Sequence, residues 1–322
     1  MTSAAVQAPA RGPKLPVRVE SLVVLAVMTA AMVVFAPNFL SVNNLLNILL
    51  ATAVIGVLAV GATFVISSAG LDLSLGSVLA LTGVCGAALV VRLGLPWPFG
   101  ILGCIGAGML VGAVNGSLVA LAKLPPFIVT LGMLSAARGL GFVLSDGRPI
   151  YGLPAELVFL GQGRPFGVPM PVIVFLAAVV VGHFVLSRTR FGRYTLVVGD
   201  NEQAARVTGI HVERHKIWLY VLAGAMSGLA GLLFMTRINA ADPTAGVMYE
   251  LQAITAVVIG GTNLFGGRGT VIGTLIGALI MGILQNGLNL MAVQPFYQQI
   301  SIGVILVLAV WLDRSRAKGQ AA

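Results

Sequence analysis

The sequence predicts an all-α polytopic membrane protein of about ten transmembrane segments, with glycine-rich helix breaks and both termini cytoplasmic. Three observations lead there. Hydrophobic residues make up 58% of the 322 residues and charged ones 9%, and the mean hydropathy is +1.00. Apolar runs of roughly 17–25 residues recur along the chain, the length an α-helix needs to cross a hydrocarbon core. These runs do not alternate apolar with polar residues as barrel strands would, and lipid cannot satisfy the backbone of an open strand.

The first segment, about 21–37, follows the basic stretch "MTSAAVQAPARGPKLPVRVE". Its run is long for a signal peptide and lacks a clear small-x-small cleavage site, so it reads as an uncleaved helix behind a Pro- and Ala-rich cytoplasmic tail, residues 1–20. The remaining segments fall at about 45–67, 73–91, 98–121, 126–144, 171–187, 215–236, 251–264, 270–292 and 297–312. Residues 313–322 form a second cytoplasmic tail, and 21–312 the transmembrane domain. The third segment begins at the break "SSAGLDLSLG", and the eighth is short and ends in "GGTNLFGGRGT". "GLDLSLGSVLAL" and "GGRGTVIGTLIG" each lead from a polar break into an apolar helix, a faint internal repeat of the kind that transporters with broken helices carry.

Charge sets the orientation. With the N-terminus inside, the inner ends hold Arg11, Lys14, Arg18, Lys123, Arg188, Arg190, Arg193, Arg206, Arg214, Lys216, Arg268, Arg314, Arg316 and Lys318. The outer loops hold Arg92, Arg148, Arg164 and Arg237, and Arg138 lies within the fifth segment. Cytoplasmic loops carry the excess of Lys and Arg, and gaining or losing one early crossing would invert the later loops. The net charge of +9 is spread over helix ends in this way and forms no patch for nucleic acid.

Two connections exceed turns. The outer one, about 145–170, is Gly- and Pro-rich and suggests an irregular cap. The inner one, about 188–214, contains "NEQAARVTGI", with Asn201 as an N-cap and Gly209 as a stop for a short cytoplasmic helix. Gly108, Gly112 and Gly116, Gly224 and Gly228, and Gly273 and Gly277 stand four apart, a spacing that lets membrane helices approach closely, within one bundle or across a dimer.

No enzyme constellation is present in the sequence, and no cofactor or metal site is expected. His183, His211 and His215 lack metal-ligand spacing, and Cys85 and Cys104 sit inside apolar runs and imply no disulfide framework. No lysine follows the glycine that a phosphate-binding loop demands, so any ATP must be bound by another chain.

The functional candidates are polar groups at membrane depth, which are costly unless paired or wetted. Asp72, followed by Ser74, sits in the first break, where it either caps the next helix or lines a pathway. Arg138 needs an acidic or carbonyl partner. Gln285, Asn286 and Asn289 on the ninth segment suit hydroxyl-rich solutes and interhelical hydrogen bonds equally well.

Four motifs together resemble the membrane-spanning permease subunits of ribose-type bacterial ABC sugar importers. They are "GLDLSLGSVLALTG" (70–83), "TLGMLSAARGLGFVLSDGRPI" (130–150), "GDNEQAARVTGI" (199–210) and "YELQAITAVVIGGTNLFGGRGTVIGTLIGALIMGILQNGLNL" (249–290), within a resemblance running from about residue 20 to 312. Relatives that import branched-chain amino acids share the architecture more loosely. The resemblance implies an inner-membrane permease for a monosaccharide, working with cytoplasmic ABC ATPase subunits, a periplasmic sugar-binding protein and a second permease copy. It also implies that Glu202, Ala204, Ala205 and Gly209 belong to the helix that docks into the ATPase, with an alanine face entering a cleft and Glu202 meeting a basic group there. Gln203 departs from the Glu-Ala-Ala spacing of that helix. The alternatives are a branched-chain amino-acid permease and a secondary transporter. Against the last, paired intramembrane acids are missing, although Asp72 and Arg138 keep it open.

Overall fold

The computed structural model describes residues 19–319. The chain forms α1 (Val19–Phe35), α2 (Val42–Ser67), α3 (Leu75–Ala87, continued by a π-helical turn over Ala88–Arg92), α4 (Trp97–Ala120) and α5 (Pro126–Ser145). There follow β1 (Ile150–Tyr151), α6 (Ala155–Gln162), α7 (Met170–Arg188), α8 (Arg190–Asp200), α9 (Glu202–Val207) and α10 (Val212–Ile238). After β2 (Ala240–Ala241) come α11 (Tyr249–Ile259), α12 (Val271–Leu290) and α13 (Pro295–Gly319). Among the described residues seven helices, α2, α3 with its π turn, α4, α5, α7, α10 and α12, are long and apolar enough to cross a membrane. Three further apolar helices are shorter: α1, α11 and the stretch Pro295–Trp311 of α13. The chain is an all-α, multi-pass membrane protein.

Several boundaries differ from expectation. The tail expected over 1–20 lies outside the described residues through position 18, and α1 already includes Val19 and Glu20. At the other end α13 runs on to Gly319 instead of stopping near 312; the last three residues of that expected tail also lie outside the described residues. The connection expected to be an irregular cap contains α6 and β1, and β1 pairs antiparallel with β2, Ile150 opposite Ala241.

Glycine rows set the packing. A Cβ on Gly108 would strike the Gly224 carbonyl, one on Gly112 the Tyr220 carbonyl, and one on Gly228 the Cys104 carbonyl. The two rows therefore face each other across α4 and α10, at backbone contact. Gly273 and Gly277 serve α12 in the same way, against Gly260 and Ala256 of α11 and its end. α2 is buried along most of its length, from Thr52 to Ser67, and forms the centre of the core with Phe175, Leu219 and Val257.

The two breaks meet. The Gly267 N–H donates to the Ser67 carbonyl (3.0 Å), Thr63 and Thr274 hydroxyls lie 2.6 Å apart, and Gly199 packs on the Ser67 backbone. Gly266 and Gly267 take φ of +87° and +76°, a conformation that side chains with a Cβ resist.

Between α10 and α11 the backbone folds back into the bundle. Ala241 packs with Val84, Pro243 lies near Leu81 around Gly141, and Gly246 touches Gly76 in the first turn of α3. The segment thus runs antiparallel to α3, and α11 begins opposite the start of α3. This accounts for the shortness of α11, because a run of turns over 243–248 occupies the depth that a longer helix would fill.

Candidate functional site

α9 is defined by its caps. The Asn201 side chain accepts the Ala204 N–H at 2.9 Å, Thr208 closes the helix, and Gly209 (φ +84°) turns the chain away. Six residues cannot hold a helix alone, and two contacts fasten this one to the bundle. Below it, Ala205 is 0% exposed and packs with Val198 of α8, Val212 of α10 and Ile210. Beside it, Glu202 takes hydrogen bonds from Arg206 (2.8 Å) and Lys216 (2.5 Å), and Arg206 also pairs with Glu213. Partial burial works against the Glu202 charge, but the Lys216 and Arg206 hydrogen bonds hold its carboxyl below the usual range.

These contacts correct the expected orientation of the helix. Ala205 turns inward and seats α9 on its own chain, and Glu202 finds its basic partners within the chain. Ala204 and Gly209 are exposed, and so are Gln203, Arg206 and Thr208. Val207 stands 89% exposed at the end of the helix. The outward face is therefore an apolar tip on a polar rim. A cleft of about 760 Å³ adjoins it, lined in part by Lys123, Gln203 and Arg206.

The second candidate region is the start of α3. Asp72, 4% exposed, accepts from the Ser74 N–H (2.9 Å) and the Ser74 hydroxyl (2.6 Å), and Asn115 of α4 donates to that hydroxyl (3.1 Å). The carboxylate binds the residue at the N-cap position instead of serving as the cap itself, because the break places Asp72 two residues earlier. Ser74 makes no side-chain cap bond of its own. Tyr220 of α10 and Thr130 of α5 both donate to the Leu71 carbonyl, at 3.3 and 3.4 Å, so four elements converge on this turn.

Arg138 has the carbonyl partners that the sequence called for. Its Nη1 donates to the carbonyls of Pro243 (2.7 Å) and Ala245 (2.6 Å), which ties α5 to the infolded segment. Glu250 and Asp242 supply the nearby negative charge. The Glu250 carboxylate also lies against Gly76 at the first turn of α3. Asp72 and Glu250 thus stand at the starts of two helices that begin face to face, where carboxylates are favoured. Glu250 and Asn115 went unnoticed in the sequence; the one available signal was a polar side chain in an otherwise apolar segment.

Gln285, Asn286 and Asn289 do not join this region. Asn286 and Asn44 exchange two amide hydrogen bonds (2.9 and 3.0 Å) between α12 and α2. Gln285 donates to Gln252 of α11 (3.2 Å), and Asn289 accepts from Gln298 of α13 (2.8 Å). Each amide joins a pair of helices.

A profile of the family described as the branched-chain amino acid transport system / permease component matches residues 44–310. The chain belongs to this permease family. It is 45% identical over 305 residues to the ribose import permease protein RbsC of Escherichia coli K12, covering 92% of this chain and 94% of that one. The ribose import permease protein RbsC of Bacillus subtilis is 45% identical, over 91% of each chain. The fructose import permease protein FrcC of Rhizobium meliloti is 38% identical, over 93% of this permease and 85% of the relative. Both candidate regions, the start of α3 and α9, lie within the matched span of the permease.

Proposed function

We propose that this chain is the membrane-spanning permease subunit of an ATP-binding-cassette importer for a monosaccharide, a ribose-like pentose, a hexose or a related polyol. It resides in the bacterial inner membrane, crosses it ten times with both termini cytoplasmic, and works as one of a pair of permeases. A separate ATPase subunit hydrolyses ATP, and a periplasmic binding protein delivers the sugar. The observation that carries this reading is α9: a short, capped helix, clamped to its own chain and presenting an exposed apolar tip. Such a piece can dock into a partner and transmit its movement, biasing the bundle between inward- and outward-facing arrangements.

The starts of α3 and α11 are the corresponding moving parts. Arg138 holds the infolded segment through two carbonyls, and Asp72 and Ser74 hold the α3 turn, so a pull on α9 reaches both through the Gly199–Ser67 contact. The family description leaves branched-chain amino acids as a second reading; the sugar reading is preferred because the similar relatives bear the names of sugar permeases.

The test is reconstitution of the full chain into proteoliposomes with its ATPase and binding protein, and measurement of radiolabelled ribose, fructose and leucine uptake. ATP-dependent uptake of a sugar, absent without the binding protein, is expected. Leucine uptake with neither sugar carried would transfer the assignment to amino acids. Uptake without ATPase would make the chain a secondary transporter.

A further inference from the structure

A groove of about 700 Å³ opens between α8 and α10, away from the start of α3 and next to the end of α9, whose Gly209 and Ile210 help line it. One face of α10 forms its floor, and α10 changes character along that face. His211 and Arg214 come first, Trp218 next, then Val221, Leu222 and Ala225. From Arg214 to Ala225 is about 16 Å at 1.5 Å per residue, close to the half-thickness of a hydrocarbon core. Met109 of α4 and Val185 of α7 wall the apolar part, and Tyr194 of α8 stands beside the basic end. Cation, then aromatic ring, then hydrocarbon is the order of layers met on entering one leaflet. Among the described residues Arg214 is exposed and has no carboxylate partner, whereas its neighbour Glu213 is taken by Arg206.

We infer that this groove binds one anionic phospholipid of the cytoplasmic leaflet, its phosphate against Arg214 and His211 and one acyl chain along Val221, Leu222 and Ala225. Charge complementarity selects the headgroup: the basic end carries an unpaired guanidinium, and the carboxylate that could neutralise it is already bound. The apolar end selects a chain rather than a soluble anion, since a free phosphate would leave the half-buried Leu222 and Ala225 uncovered. The lipid would lie against α8 and the entry to α10, the two elements on which Ala205 seats α9. It would therefore stiffen the support from which α9 projects. The leaflet rests on the proposed sidedness, and the inference holds for any transported solute.

The experiment uses the full chain, incorporated into vesicles of phosphatidylcholine and phosphatidylglycerol at 4:1, extracted in mild detergent and weighed with retained lipid by native mass spectrometry. The wild type should retain one phosphatidylglycerol in preference to phosphatidylcholine. Arg214→Gln should lower that preference about fivefold, the factor expected for one basic side chain at an anionic surface. Arg214→Lys should keep most of it. Ala225→Phe, which fills the apolar end, should lose both lipids, and Arg188→Gln, whose residue does not line the groove, should behave as wild type. Equal retention by Arg214→Gln and wild type would overturn the proposal, as would an equal loss in Arg188→Gln. Displacement of the lipid on adding the ATPase subunit would also overturn it, because the groove would then be a protein docking surface.

Discussion

Asp72 is a buried carboxylate whose two hydrogen bonds both go to Ser74, and Ser74 in turn receives Asn115. Replacing it by Ala strands a buried N–H and a buried hydroxyl, at about 1–3 kcal/mol. Asp72→Asn keeps an oxygen where both donors point. The expected outcome is a clear fall in the thermal midpoint of the detergent-purified protein for Asp72→Ala and a small one for Asp72→Asn, with uptake largely kept in the latter. Normal abundance with abolished uptake in Asp72→Asn would show that the ionisable group itself is used. The sequence exposes Asp72 because a lone acid beside glycines between apolar runs has few structural uses. Asn115 is invisible there: its partner, Ser74, is brought to it only by the packing of α3 on α4. The amides of α12 show the same limit from the other side. Their polarity is legible, but whether a solute or a neighbouring helix takes the hydrogen bonds is decided by Asn44, Gln252 and Gln298, far away in sequence.

At the scale of one element, α9 separates its own seat, at Ala205, from the exposed face proposed to dock. Its start and stop are legible because Asn201 and Gly209 act locally on the backbone. Its orientation is not, since it depends on Val198 and Val212 closing over Ala205. The consequence is a pair of variants with opposite signatures. Val207→Glu places a charge on the exposed tip; abundance and melting should stay as in wild type, while recovery of the ATPase in a pull-down should fall about tenfold or more, as expected for an apolar anchor replaced by a desolvated charge. Ala205→Trp overpacks the chain's own seat at about 1–3 kcal/mol, so it should lower the melting temperature of the permease even with no ATPase present. Unchanged ATPase recovery by Val207→Glu would leave α9 as an exposed turn of no consequence for coupling. The flanking ion pairs around Glu202 are half-exposed and contribute modestly each, so Glu202→Gln should disturb recovery less than either variant.

For the whole molecule, the apolar runs are legible because the solvent imposes them: a hydrocarbon core demands helices of set length wherever the chain crosses. How the helices pair follows only partly, through glycine rows that mark a close approach without naming the partner helix. The infolded segment before α11 leaves no such mark; Gly246 and Gly76 look like ordinary turn glycines until they meet. The proposed sidedness rests on charge alone, and it binds the parts together, since α9 can meet a cytoplasmic ATPase only if its end of the bundle is inside. The β1–β2 pair and the Arg92–Asp146 ion pair (3.0 Å) lie at the opposite end of α3 from Asp72. With Cys85 and Cys104 replaced, single cysteines at Arg148 and Val207 should therefore label from opposite faces of intact cells. Arg148→Cys, in the loop next to β1, should react with an impermeant maleimide added outside. Val207→Cys, exposed on α9, should react only after permeabilisation, and its labelling should drop when the ATPase is co-expressed, because docking covers the tip. Reaction of both positions from outside would reverse or break the ten-crossing topology and remove α9 from the compartment where ATP is hydrolysed.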